Sequence, residues 1–216
     1  MASEDPRQTR TRAALRSALV RLLARSPLAD ITVAELCREA SVHRTTFYGH
    51  ADGVESFAVE LVTRDIDEAS TVGVPAQEAD SPATAGRYLS SLDDTLRLVI
   101  AERTVFRSLF SSGLRAAVRA GIEQRLRHHA TLALDVFAAQ GLPGVPGDGP
   151  ARAEAAAFIA GALSGVIEAW AQGDETDADA AGRRILRLMP SWWPAPPSPA
   201  EERSTVNPAP VRGAPS

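Results

Sequence analysis

Apolar residues recur at three- and four-residue intervals along most of the chain, and nowhere do they alternate with period two over a useful length. That pattern predicts an all-α protein with no sheet. From Thr9 the positions Leu15, Ala18, Leu19, Leu22 and Leu23 form one stripe, which stops before Pro27 because proline cannot continue a helix. The other face carries Arg10, Arg16, Arg21 and Arg25, read either as a solvated face or as phosphate contacts. Thr32 with Glu35 three residues on has the spacing of a capping box, with Ile31 and Leu36 at staple positions, and opens a second helix to about Ala40. Ser41-Val42 make a turn, and a third helix spans His43 to about Gly49. Asp52 with Glu55 gives another box and opens a fourth helix toward Ala69. Residues 70–82 read as a linker or loop. Further helices are expected over about 83–100, 101–111, 113–140, 150–172 and 177–189, the last capped by Thr176 with Asp179. Gly173 ends the one before it as a C′ residue. The strongest break is GLPGVPGDGP at 141–150. Residues 1–8 and the Pro-rich stretch 190–216 are expected to be disordered, save that Ser191-Trp192-Trp193 could fold back onto the body.

The second and third helices, joined by so short a turn, fit a helix-turn-helix. Such a motif needs a small residue where the helices cross, a turn residue that tolerates positive φ, and an apolar residue facing inward; Cys37, Ser41 and Phe47 fill those places. Leu36, Ala40 and Val42 complete the small core. The division that follows is an N-terminal three-helix DNA-binding domain over 9–53 and a larger C-terminal helical domain over 54–189. His43, Arg44, Thr45 and Thr46 lie on the exposed start of the third helix, the part that reaches base edges in a major groove. Arg44 suits either a fork onto guanine or a phosphate. His50 is read as a phosphate contact and not a metal ligand, because no second ligand stands one turn away on its helix.

Charge sharpens this picture. The 216 residues carry a net −4, but residues 1–50 hold 8 Arg against 5 acidic groups, and the remainder 15 against 22. A basic head on an acidic body suits double-stranded DNA as partner of the head alone. Every basic side chain other than His is Arg. Cys37 is the single cysteine, so no internal disulfide exists. The polar N-terminal stretch lacks the apolar segment of a secretion signal. The longest apolar run, Ala155 to Trp170, is broken by Ser164 and Glu168. We therefore expect a cytoplasmic protein with no membrane partner. No phosphate-cradling Gly loop, HExxH, GxSxG or CxxC is present, so no enzyme activity, cofactor or metal is expected. His128-His129 with Asp135 is a poor metal set, since neighbours on a helix point about 100° apart.

The stretch ITVAELCREASVHRTTFYGHADGVESF, residues 31–57, resembles the DNA-binding domain of TetR-family (tetracycline-repressor type) regulators. The resemblance rests on Ile31-Thr32-Val33, Leu36, Ala40, Arg44, Thr46, Phe47, Tyr48 and His50, and continues loosely into FIAGALSGVIEAWAQGDET. It departs at Ser41 where Gly is usual, at His43 for Ser, at Ala51 for Phe, and at Val54 for a basic residue. It implies a homodimer on a palindromic operator, repression as the usual mode, and a C-terminal pocket for a small-molecule effector. It makes Thr32 and Tyr48 phosphate donors, where the residues alone suggest a cap and a packed ring. The small-residue stripe Ala157, Gly161, Gly165 and Ala169, with Ile185 beside it, then becomes the dimer interface; internal packing is the other reading. Phe158, Val166, Ile167 and Trp170 would face the protomer core. Phe106, Phe110, Leu114 and Phe137 sit on helices that would surround a largely apolar pocket, though aromatics at helical spacing also fit a plain core. The alternative function is a helical interaction protein whose helix-turn-helix is structural only.

Overall fold

The computed structural model describes residues 6–72 and 83–193, and among them every regular element is helical. Helix α1, Pro6–Leu23, is followed by a 3-10 turn at Leu28–Asp30 and by α2, Val33–Ala40, α3, Arg44–Tyr48, and α4, Val54–Ser70. The body adds α5, Ala83–Ala101, α6, Arg103–Phe110, α7, Arg115–Ala139, α8, Pro150–Gln172, and α9, Ala178–Leu186. An N-terminal helix-turn-helix thus precedes a larger helical domain. Most of the linker, residues 73–82, and the tail beyond Trp193 lie outside the described residues.

Several boundaries move for identifiable reasons. Helix α1 is already formed at Pro6, the first described residue, three residues before the expected Thr9. The box expected from Asp52 and Glu55 forms one residue later. Gly53 is the N-cap; its N–H donates to Ser56 Oγ at 3.0 Å, and the Ser56 hydroxyl donates back to Gly53 O at 2.9 Å. Asp177, not Thr176, caps α9 by accepting from Ala180 N–H at 2.9 Å; a carboxylate also favours the helix N-terminus electrostatically. Gly173 ends α8 in extended backbone (φ −83°) instead of a left-handed turn. Its partner is Arg107, whose guanidinium donates to Gly173 O at 2.8 Å and to Ala171 O at 3.2 Å and meets Asp174 at 2.9 Å. An arginine thereby satisfies carbonyls that the helix leaves open.

One hydrophobic cluster runs without interruption from the head into the body. Leu15, Leu19, Leu36 and Phe47 belong to it, and so do Phe57, Ile66, Phe106 and Ile122. The core is thus shared across the division expected at 53 and 54. Phe47 of α3 packs on Phe57 of α4, ring centroids 6.0 Å apart. At the crossing of α4 and α7 the approach is close: a Cβ on Gly121 would lie 2.7 Å from Thr63 Cγ2. Gly182 plays the same part between α9 and α5, where a Cβ would collide with the Asp93 carboxylate. Helices α7 and α8 reverse through a loop in which Gly141, Gly144 and Gly149 all take positive φ, a region that side chains disfavour.

Helix α8 is long and apolar enough to cross a membrane by length and composition, alone among the described residues. Its apolarity is divided between two faces. Ala156, Ile159, Ala160, Ile167 and Ala171 are buried, whereas Phe158 is 60% exposed and Gly161 and Gly165 have nothing within 4 Å of a Cβ position. Phe158 therefore does not face the protomer core as expected: Gly161 and Gly165, three and seven residues on, share its outward side. Ile185 is likewise no surface residue; it is buried with Leu96, Ala178 and Ala181. The Ser191-Trp192-Trp193 stretch does fold back onto the body: Trp193 meets Phe137 edge-on with centroids 5.3 Å apart.

Candidate nucleic-acid interface and inner cavity

The turn between α2 and α3 is built by local sequence. Ser41 has φ 55° and ψ 39°, the one left-handed residue other than glycine among those described. Its N–H donates to Arg38 O at 3.2 Å and Val42 N–H donates to Cys37 O at 2.9 Å. This two-bond closure is the Schellman arrangement. A side chain at positive φ costs about 1 kcal/mol; those bonds and the burial of Cys37 and Leu36 offset it. At the other end of α2, Thr32 Oγ1 accepts from Glu35 N–H at 3.2 Å and Glu35 Oε2 accepts from Thr32 N–H at 3.4 Å. Thr32 thus acts as a cap, and it remains exposed.

Phe47 is fully buried and fixes the roll of α3. With that side inward, His43, Arg44, Thr45 and Thr46 all point outward and exposed. Tyr48 is 58% exposed although its ring touches Phe47 edge-on, at 5.6 Å. His50 is half-buried just beyond. The seven sequence-derived candidates thus gather around one short helix and the start of the preceding one. Neither Arg38 nor Arg44 has an ion-pair partner among the described residues. The arginines of α1 behave otherwise. Arg21 and Arg25 both hold Glu39, at 2.6 and 2.7 Å, and Arg16 reaches Asp65 at 3.0 Å and Glu102 at 2.8 Å. These pairs hold the Glu39 carboxyl below its usual range by hydrogen bonds from the two arginines. Burial pushes Asp65 up to about 6 despite Arg16.

The body contains a cavity with about 680 Å³ of empty space, its mouth included. It lies among α4, α5, α7, α8 and α9. Leucine, isoleucine, alanine and valine side chains form most of the wall, with Met189 and Trp193 contributed by the segment after α9. Its polar lining is a patch: Ser70, Ser91, Thr95 and His129. None of the four side chains singled out from sequence lines it. Phe106 and Phe110 stack on each other in the main core, 6.5 Å between centroids, with Leu114 packed against the same cluster. Phe137 lies behind Trp193. These are periodic core residues, and the wall is made of smaller side chains that periodicity does not distinguish. His128, His129 and Asp135 do not assemble a metal site: His129 bonds Asp67 and Asp135 bonds Arg152, and no group of three metal-ligating side chains occurs among the described residues.

The fold is shared with known regulators of transcription. The chain is similar to the dihydroxyacetone kinase operon activator DhaS, at TM-score 0.58 and 15% identity over 83% of this chain and 93% of that one. It is similar to NalD, the secondary repressor of the MexAB-OprM multidrug efflux pump in Pseudomonas aeruginosa, at TM-score 0.54 and 14% identity over 86% and 96%. It is also similar to the fatty acid degradation regulator FadR from Bacillus halodurans, at TM-score 0.57 and 14% identity over 87% and 96%. No protein-family model and no curated protein sequence matches it. At such identities the likeness is one of fold.

Proposed function

We propose that the chain is a TetR-family type transcriptional regulator, a homodimer that binds a palindromic operator through α3 and releases it when a small, largely apolar effector enters the body. The observation that carries the reading is the tip of α3, where Arg44 and three neighbouring polar side chains stand exposed on a helix locked by Phe47 and Ser41. An unpaired guanidinium beside hydroxyls and imidazole is the chemistry of phosphate and guanine contact. The three fold neighbours, an operon activator, an efflux-pump repressor and a regulator of fatty acid degradation, support a regulator. Repression is the mode proposed. Selection of bound sequences from random DNA tests this: an enriched palindrome is expected, and uniform recovery of all sequences at moderate salt would sink it.

The homodimer is proposed to form on the outer face of α8. Gly161 and Gly165 stand open there beside exposed Phe158, which allows a second helix to approach closely. Ala157 and Ala169 extend the same stripe. Glycine in a helix interior costs up to about 1 kcal/mol, which a close contact offsets. Gly161→Leu should weaken self-association at least tenfold, about 1.4 kcal/mol or more. Sedimentation equilibrium that shows an unchanged dimer in this variant would remove the stripe from the interface.

A further inference from the structure

We infer that the cavity's effector is an uncharged amphipath, an apolar body ending in a hydroxyl that donates a hydrogen bond. The inference deepens the effector reading above and rests on it for its regulatory sense. It follows from an inventory of protons on the polar patch. Thr95 Oγ1 donates its one hydrogen to Ser91 O at 2.8 Å, which leaves lone pairs only. His129 Nε2 lies 2.9 Å from Asp67 Oδ1. A carboxylate accepts, so Nε2 carries a hydrogen and spends it on Asp67. Ser70 Oγ stands 3.5 Å from Thr95 Oγ1, beyond the ordinary O–H···O length, so its hydrogen can turn toward a ligand oxygen. Ser70 and Thr95 are both more than nine-tenths buried. The patch therefore holds one fixed acceptor, Thr95 Oγ1, beside serine hydroxyls of Ser70 and Ser91 able to serve either way, which a ligand hydroxyl satisfies in both senses.

The competing head groups fit worse. No arginine lines the cavity among the described residues, and the chain has no lysine. A carboxylate would give up its water for serine hydroxyls alone, with no arginine to neutralise it, the Thr95 lone pairs beside it and the Asp67 charge behind His129. An ammonium would find Asp67 already held by Arg125 at 3.1 Å and by His129. A hydrocarbon without a head would leave the buried oxygens unpaired.

The test uses the full chain without DNA and four probes of one shape: para-propylphenol, propylbenzene, para-propylbenzoate and para-propylbenzylamine. Binding is read by calorimetry and by the fluorescence of Trp193, which lines the cavity. The phenol should bind at least about tenfold tighter than each of the others. Thr95→Val keeps the shape and removes the acceptor. It should bring phenol and propylbenzene to within about threefold, the phenol weakened and propylbenzene the same or tighter. Ser70→Ala gives the same readout should the first variant fold poorly. Tightest binding by benzoate or benzylamine overturns the inference, as does equal binding of phenol and propylbenzene. Failure of all four to saturate at about 1 mM also overturns it. Failure to select any operator, with the phenol preference intact, would sink the regulator reading alone; a selected operator with a benzoate preference would sink only this inference.

Discussion

Helix α1 and the α2–α3 tip are both rich in arginine, and the two regions use it in opposite ways. Along α1 and just past its end, Arg16, Arg21 and Arg25 each grip carboxylates of neighbouring elements. At the tip, Arg38 and Arg44 have no such partner among the described residues. A count of basic residues makes the head as a whole look like a DNA surface. The pairing shows that part of that charge is neutralised within the fold, while Arg38 and Arg44 stand open near α3. Intramolecular ion pairs join the head to itself and, through Arg16, to the body.

The comparison predicts unequal consequences for equal substitutions. The largest is Arg44→Ala, which should cost about 1–3 kcal/mol of operator affinity if Arg44 forks onto a base, whereas Arg21→Ala should change it less than about threefold. Titrations of both variants on the selected operator check this, and equal losses would erase the distinction. Next comes the joint at Arg16. Asp65 has its carboxyl raised to about 6, first by burial, with Glu102 adding to the rise and Arg16 opposing it. A carboxyl whose folded pKa is raised binds a proton more readily folded than unfolded. Its contribution to stability is therefore greatest below the unfolded value near 4 and is lost as pH rises through about 6. After allowance for solvent screening the gain from pH 7 to pH 4 is about 1–2 kcal/mol. Asp65→Asn should remove that gain, as read from urea midpoints across the window; an identical pH profile in the variant would refute the assignment. The smallest effect is sought at Glu39. Glu39→Gln frees Arg21 and Arg25, so non-specific DNA binding should strengthen at low salt and its salt slope steepen by about one to two units. An unchanged slope would mean that those arginines do not reach phosphate even when released.

The helices were legible because their ends are marked in sequence. Pro27, Thr32 with Glu35, and the Gly-Pro run at 141–150 each act within a few residues, and the local chemistry decides the boundary. Ser41 was legible for the same reason: the turn is too short to avoid positive φ. The exposed tip of α3 followed from the place of Phe47 alone. Where caps moved, at Gly53 and Asp177, a neighbouring residue offered an equal or better partner. The cavity was not legible. Its wall takes residues from five helices and from Trp193, and no periodicity reports which small side chains fail to fill space. Aromatics such as Phe106 advertise burial, not vacancy. Phe158 and Ile185 show the limit from the other side, since an apolar residue on an amphipathic helix can face solvent or core according to a neighbour that sequence does not name.

The close approach of Thr63 to Gly121 gives α4 a mechanical character. Six residues separate that crossing from Phe57, on which Phe47 of α3 packs, and seven separate it from Ser70, at the polar patch of the cavity. At about 1.5 Å per residue the two arms measure about 9 and 10 Å. A rigid rod pinned at such a point is a balance beam of nearly equal arms. A sideways step at the cavity end would reappear at the DNA end with the same size and the opposite sense. Within the proposed dimer two such beams face each other, so a displacement of about 1 Å at each cavity would alter the separation of the two reading heads by up to about 2 Å.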